Sequence, residues 1–346
     1  MRHSFLGPFF TSSSLAAMVS AVVLIAPANA QLPSDSAQKV AKTSSTKTWI
    51  PTRTPDGQPD LQGVWTNATL TPFERPTELA GKATITDQEA ADIERRAASA
   101  SRVEQAPKAG DPGGYNQVWA DGGTTWLSTR QTSLVVDPPD GRVPVKPSAE
   151  ARRKYDLEHV ADSYEYHSTW ERCITRGVPA GMFPAGYNNA YQILQSPGYV
   201  VILSEMIHEV RFIPIDGRPH LPQNVRQWNG DSRGHWEGTT LVVDTTNYSG
   251  QGVIATSAAT GRIKGIHESE ALHVVERFKR VDADTISYEV TISDPEIYTA
   301  PWKVSMPLTR NPSYLIYEYA CHEGNLAMGD ILRGGRAKDQ AEAAGK

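Results

Sequence analysis

Apolar and polar residues alternate most regularly between Thr285 and Ser293. Ile286, Tyr288, Val290 and Ile292 fall on one face there, and Thr285, Ser287, Glu289 and Thr291 on the other. A period of two marks a strand with one buried and one solvated face. Similar short runs follow one another from Tyr187 onward: Tyr191–Gln195, Tyr199–Glu205, His208–Ile215, Val225–Trp228, Thr239–Asp244, Leu272–Arg280, Trp302–Leu308 and Tyr314–Ala320. Turn residues such as Ser196-Pro197-Gly198, Asp216-Gly217 and Asp282-Ala283-Asp284 separate them. An earlier strand is expected over Leu61–Asn67. Short links without long intervening helices predict an antiparallel meander, and a sheet of this size avoids open edges by closing. The expected fold is therefore mainly β, an antiparallel β-barrel with a few peripheral helices. No repeat at fixed spacing supports a propeller.

Two helices interrupt this pattern. Thr86-Asp87-Gln88-Glu89 has the spacing of a capping box and opens an Ala-rich stretch to about Ala100, and Ser148 to about His159 is a second helix. The Gly-rich segment 110–123 reads as a surface loop. At the N-terminus, Arg2 and His3 precede an apolar run from Leu15 to Ala26, and Ala28-Asn29-Ala30 follows with the small-x-small pattern of a signal-peptidase site. The run is short for a membrane span, which needs about 20 apolar residues. Cleavage after Ala30 is the expectation, with an uncleaved anchor as the alternative. The domain expectation is a signal peptide over 1–30, a flexible linker over 31–59, one β-barrel domain over 60–336 and a disordered tail over 337–346.

Composition narrows the partners. A net charge of −5 with scattered Lys and Arg gives no footprint for nucleic acid, and no polybasic run suggests a membrane surface. Removal of residues 1–30 from the 346 leaves 316, enough for a sizeable core and, by expectation, no membrane insertion. Cys173 and Cys321 are an even pair in a chain expected to be periplasmic or secreted, where pairing is the rule, so a disulfide is expected. A free catalytic thiolate is the alternative.

Several segments together resemble a family of exported bacterial β-rich proteins. They are Arg172-Cys173 with Arg176-Gly177, Tyr187-Asn188-Asn189 with Tyr191-Gln192-Ile193, His208 with Arg211-Phe212-Ile213, and Asp216-Gly217-Arg218. Trp228-Asn229-Gly230-Asp231-Ser232-Arg233-Gly234-His235-Trp236-Glu237-Gly238 and Cys321-His322-Glu323-Gly324-Asn325 complete the set. The resemblance covers roughly the C-terminal half and implies export and β architecture, with no activity attached. Gly63-Val64-Trp65 resembles the G-x-W first strand of lipocalin-type barrels, which implies a calycin-like barrel.

Candidate chemistry comes from polar residues at apolar positions. Alternation places Glu276 among Leu272, Val274 and Phe278, and carries Tyr199, Val201 and Leu203 to Glu205. A buried carboxylate costs several kcal/mol unless paired or protonated. Each is a general acid or base in a cavity, or a structural glutamate paired with Arg211 or another arginine. Six histidines, His208, His220, His235, His267, His273 and His322, share the β region without an H-E-x-x-H helix or Cys/His cluster. A zinc site assembled from distant strands is an alternative to hydrogen-bonded wall residues. Trp228 to Trp236 reads as a polar, aromatic loop, either a rim that receives a ligand or a well-knit turn. The resulting site expectation assigns acid–base roles to His208, Asp231, His273 and Glu276. Substrate contacts fall to Glu205, Arg211, Trp228, Arg233 and His235. Regular alternation puts His273 on the face opposite Glu276 unless a bulge intervenes. No elbow, phosphate loop or dinucleotide fingerprint is present, so the expectation is an enzyme without cofactor: a lyase, isomerase or hydrolase for a small organic or sugar-like molecule in a barrel cavity. The alternative is a non-catalytic small-ligand-binding barrel.

Overall fold

The alternating runs need a shared interior to bury their apolar faces, and the computed structural model shows how they obtain one. It describes residues 49–100, 121–323 and 325–345, all within one compact unit over Thr48–Lys346. The expected signal peptide, most of the linker and residues 110–120 of the Gly-rich loop lie outside the described residues. Ten strands form one antiparallel sheet: β1 (Gly63–Thr66), β2 (Val135–Asp137), β3 (Ala190–Ser196), β4 (Tyr199–Ser204), β5 (Glu209–Pro214), β6 (Asp231–Glu237), β7 (Thr240–Thr246), β8 (His273–Arg280), β9 (Thr285–Ser293) and β10 (Trp302–Arg310). The order β5-β4-β3-β1-β10-β9-β8-β7-β6 curls into a nearly closed barrel, with β2 added to β10. Neighbours are mostly sequential, as a meander requires. The exception is β1, which bridges β3 and β10.

Inward positions make one continuous apolar cluster, from Trp65 and Ile193 through Val243, Phe278, Tyr288 and Val290 to Trp302, Met306 and Leu308. Each such side chain contributes about 1.5–3 kcal/mol when removed from water. The barrel interior is thus a packed core. The edges β5 and β6 share no ladder and meet through side chains instead. At this seam Gly234 is required, since a Cβ there would lie 2.8 Å from Ile215 Cγ2 and 2.9 Å from Ile213 Cγ2.

Helix α1 (Asp87–Ala100) has the expected capping box: the Thr86 hydroxyl accepts from the Glu89 NH at 3.2 Å and the Thr86 NH donates to Glu89 Oε2 at 2.8 Å. Through Ala90 and Ile93 it joins Trp126 and Ile85, which precedes it, in a small cluster apart from the barrel core. Helix α2 (Pro147–Glu158) starts on a proline at its first turn.

Four expectations are corrected. Residues 225–228 make a single bridge, Gln227 to Tyr248, because turns at 223–224 and 228–229 leave too short a run between them for a ladder. The supposed loop from Trp228 becomes strand β6 at Asp231. Residues 314–320 join no strand, a strap whose Leu315 and Tyr317 stay exposed. The expected tail lies largely in helix α3 (Ala327–Ala344).

Candidate functional site

Glu276 points into the barrel with 0% exposure, where alternation on β8 puts it. Arg211 of β5 reaches across the seam to it, Nη2 lying 2.5 Å from Oε2, and the Tyr288 hydroxyl donates to Oε1 at 2.9 Å. Arg211 also donates to Ser232 Oγ at 2.9 Å and Thr245 Oγ1 at 3.0 Å, so the ion pair staples β5 to β6, β7 and β8. Burial works against the Arg211 charge, but Glu276 prevails and holds its pKa above the usual value. The same burial, with Glu276 beside it, drives Tyr288 well above the phenol range. Both glutamate oxygens are occupied, which is the structural alternative raised by the sequence.

Asp231, Arg233, His273 and His235 of the expected site face the opposite side of the sheet. On the outer surface Asp231 accepts from Arg233, from His220 Nδ1 at 3.0 Å and from the Leu221 NH at 2.9 Å. His220 Nε2 lies 3.0 Å from Asp244 Oδ1, and His273 Nε2 lies 2.9 Å from Asp244 Oδ2. Arg233 Nε also donates to the Pro219 carbonyl at 2.9 Å. Asp244 raises the His273 pKa and is itself lowered, chiefly by His273. This network clamps the β5–β6 connection onto the sheet and spends its polar atoms doing so. His235 lies farther along β6, exposed, 3.3 Å from Glu237. Trp228 is half-buried in the turn before β6. The pleat therefore divides the expected cluster: Glu276 and Arg211 inside, Asp231, Arg233 and His273 outside, with no bulge on β8 to bring His273 round.

A different site lies beside the barrel. A cleft of about 820 Å³ is lined by Trp170, Tyr187, Tyr314, Tyr317 and Tyr319, by Asp121, Glu171, Glu205, Glu318 and Glu323, and by His167 and the cystine. Of the expected residues only Glu205 and the two cysteines border it. Glu205 leaves β4 in a tight turn in which Ile207 (φ 63°) and His208 (φ 42°) take left-handed backbone, a costly choice for a β-branched residue. The turn buries the Glu205 carboxylate to 1% exposure at the cleft wall. The Tyr314 hydroxyl lies 2.8 and 2.9 Å from its two oxygens, and the Tyr317 NH is 3.4 Å away. Burial and this carboxylate push Tyr314 above the phenol range. His208 does not line the cleft. Its Nδ1 lies 2.8 Å from the Tyr319 carbonyl and so holds the strap.

Cys173 and Cys321 are bonded, their Cα atoms 5.7 Å apart, and anchor the strap's far end. The Tyr187 and Tyr319 rings stack at 6.3 Å, and Trp170 lies 6.1 Å from Tyr187. His167 is buried, with Nδ1 3.7 Å from Glu171 Oε2 and Nε2 unpartnered. Partial burial opposes ionisation of Glu171, yet the Ser168 NH and hydroxyl, with Lys264 and His167, hold its pKa below the usual range. Among the described residues no group of three or more His, Cys, Asp and Glu side chains is gathered for a metal ion. None of the sequence signals pointed at His167, Trp170 or Tyr314; the Tyr-rich alternation of 314–320 was the one available hint. No protein-family model matches the chain, and no curated protein and no solved structure matches it either.

Proposed function

We propose that the protein binds a small organic molecule in the cleft between Glu205 and the 314–320 strap, outside the barrel. The carrying observation is a concave surface with five aromatic rings and a buried carboxylate, Glu205, that no basic side chain pairs among the described residues. Ligand sites combine such apolar walls with a few placed polar groups. The test is a thermal-shift and fluorescence screen of amines, carboxylates, neutral glycosides and aromatic alcohols against wild type and Trp170→Phe. One class should saturate and lose affinity in the variant. Saturation by none of them, or binding indifferent to Trp170 and Tyr319 substitutions, rejects the cleft.

One observation supports catalysis as a second reading. His167 has a carboxylate on one side of its ring and a free nitrogen on the other, the layout of a base oriented by an acid. Acid–base turnover by a lyase, isomerase or hydrolase then requires that His167→Gln remove activity while ligand affinity persists. The proposed setting is the periplasm or exterior, supported by Ala28-Asn29-Ala30 and a disulfide that persists in oxidising compartments. No helix among the described residues is long and apolar enough to cross a membrane. Intact mass of the exported protein should place the N-terminus at Gln31; retention of Met1 contradicts the proposal.

A further inference from the structure

The charge around the cleft is one-sided. Among the described residues five carboxylates line it, Asp121, Glu171, Glu205, Glu318 and Glu323, and no lysine or arginine does. Two cations stand behind the wall. Lys264 lies 3.7 Å from Glu171, and Arg176 is buried against Trp170, 5.7 Å from the ring, donating to the Ala180 carbonyl. Among the described residues Asp121, Glu205, Glu318 and Glu323 have no ion pair. Low-dielectric walls concentrate such a field within a cleft.

The rings reinforce the same preference. Tyr187 stacks on Tyr319, Trp170 lies tilted by 54° to Tyr187, and Tyr314 meets Tyr317 edge-on at 5.9 Å with an interplanar angle of 89°. Aromatic faces carry the negative part of the ring quadrupole, which attracts ammonium groups and repels anions. His167 adds an independent sign of a ligand. With its Nδ1 side facing Glu171, the buried Nε2 is left in the cleft wall without a protein partner. In the tautomer that points Nδ1–H at Glu171, that nitrogen is an acceptor suited to an N–H donor.

We infer that the cleft selects a protonated amine bearing an aromatic or apolar body, with its ammonium among Glu205 and the rim carboxylates and its body against the rings. The ligand class rests on the cleft being a ligand site, and the experiment separates the two. Benzylammonium, benzyl alcohol and benzoate share one ring and differ in charge. Calorimetric titration of the full-length exported protein at pH 7 should give benzylammonium at least about tenfold tighter than benzyl alcohol, a difference of about 1.4 kcal/mol. Benzoate should be weakest. Raising NaCl from about 0.02 to 0.5 M should weaken benzylammonium severalfold, because exposed charges are screened.

Glu318→Gln/Glu323→Gln, at exposed positions without an ion pair among the described residues, should cost benzylammonium about threefold and leave benzyl alcohol and the melting temperature unaffected. Any of three results overturns the inference: less than tenfold preference for the ammonium, no saturation by it, or unchanged affinity in the double variant. Tight binding of the alcohol or the carboxylate at Trp170 overturns the ligand class while leaving the cleft as a site. Failure of all three probes together with the broader screen removes both.

Discussion

Glu268 is 5% exposed, its Oε1 has no hydrogen-bond partner, and burial pushes its pKa up to about 8. The nearby Asp294 charge adds to the rise, opposed only by the Gly252 backbone. The folded carboxyl therefore keeps its proton at pH 7, whereas the unfolded one, with a pKa of 4.5, has lost it. Above pH 4.5 the native state binds more protons than the unfolded chain, so stability falls as pH rises and levels off above about 8. Moving a carboxyl between those two values corresponds to about 5 kcal/mol, an upper figure of which about 3 kcal/mol has been lost by pH 7. Glu268→Gln keeps the shape and removes the titration. It should match wild type near pH 5 and exceed it by several kcal/mol at pH 8.5. Urea unfolding at pH 5, 7 and 8.5 with the disulfide intact measures this directly. Parallel wild-type and variant profiles across that range would show that Glu268 is ionised in the fold and refute the reasoning.

Glu276→Gln strands the Arg211 guanidinium behind the barrel wall and should destabilise by about 3–5 kcal/mol, as broken buried pairs do; a change under about 1 kcal/mol in urea would mean that the seam is solvated. Replacing both Cys173 and Cys321 by Ser frees a loop closed over 148 residues, which on the chain-entropy model is about 5 kcal/mol, and should lower any ligand affinity of the cleft. Equal denaturation midpoints with and without the disulfide contradict that estimate. Thr86→Ala removes one half of the α1 capping box and should cost about 1 kcal/mol, read as a small fall in melting temperature without change at the cleft.

The β architecture was legible because period-two burial is local. β9 reads in the structure as it does in the sequence, and alternation alone turned Glu276 inward, while a partner in Arg211 or another arginine was the alternative left open beside catalysis. β6 was not legible as a strand, for a reason visible at the seam. Of its three inward positions Ser232 and Gly234 are small or polar, Gly234 because Ile213 and Ile215 press against it, so Trp236 alone is left to mark an apolar face. The strap misled in the other direction. Tyr314 to Ala320 is apolar and aromatic enough to pass for a strand, yet the rings of Tyr314, Tyr317 and Tyr319 line the cleft and the segment joins no ladder. α3 was missed because Gly334 and Gly335 interrupt a weakly apolar run. The cleft was the least legible element. Its wall combines Asp121, His167, Trp170, Tyr187, Glu205 and side chains of the 314–320 strap and α3, which only the tertiary fold and the disulfide bring together.

The barrel closes as a clasp. Every other boundary in the sheet is a row of backbone hydrogen bonds, whereas β5 and β6 are joined by the guanidinium of Arg211, a serine hydroxyl and the close fit at Gly234. Opening this boundary breaks no ladder, so its free energy is set by a few side chains and lies below that of global unfolding. The amides of β5 and β6 that face the gap are consequently the first in the sheet to exchange with deuterium, while those of β8 and β9, paired on both sides, wait for the whole molecule to unfold.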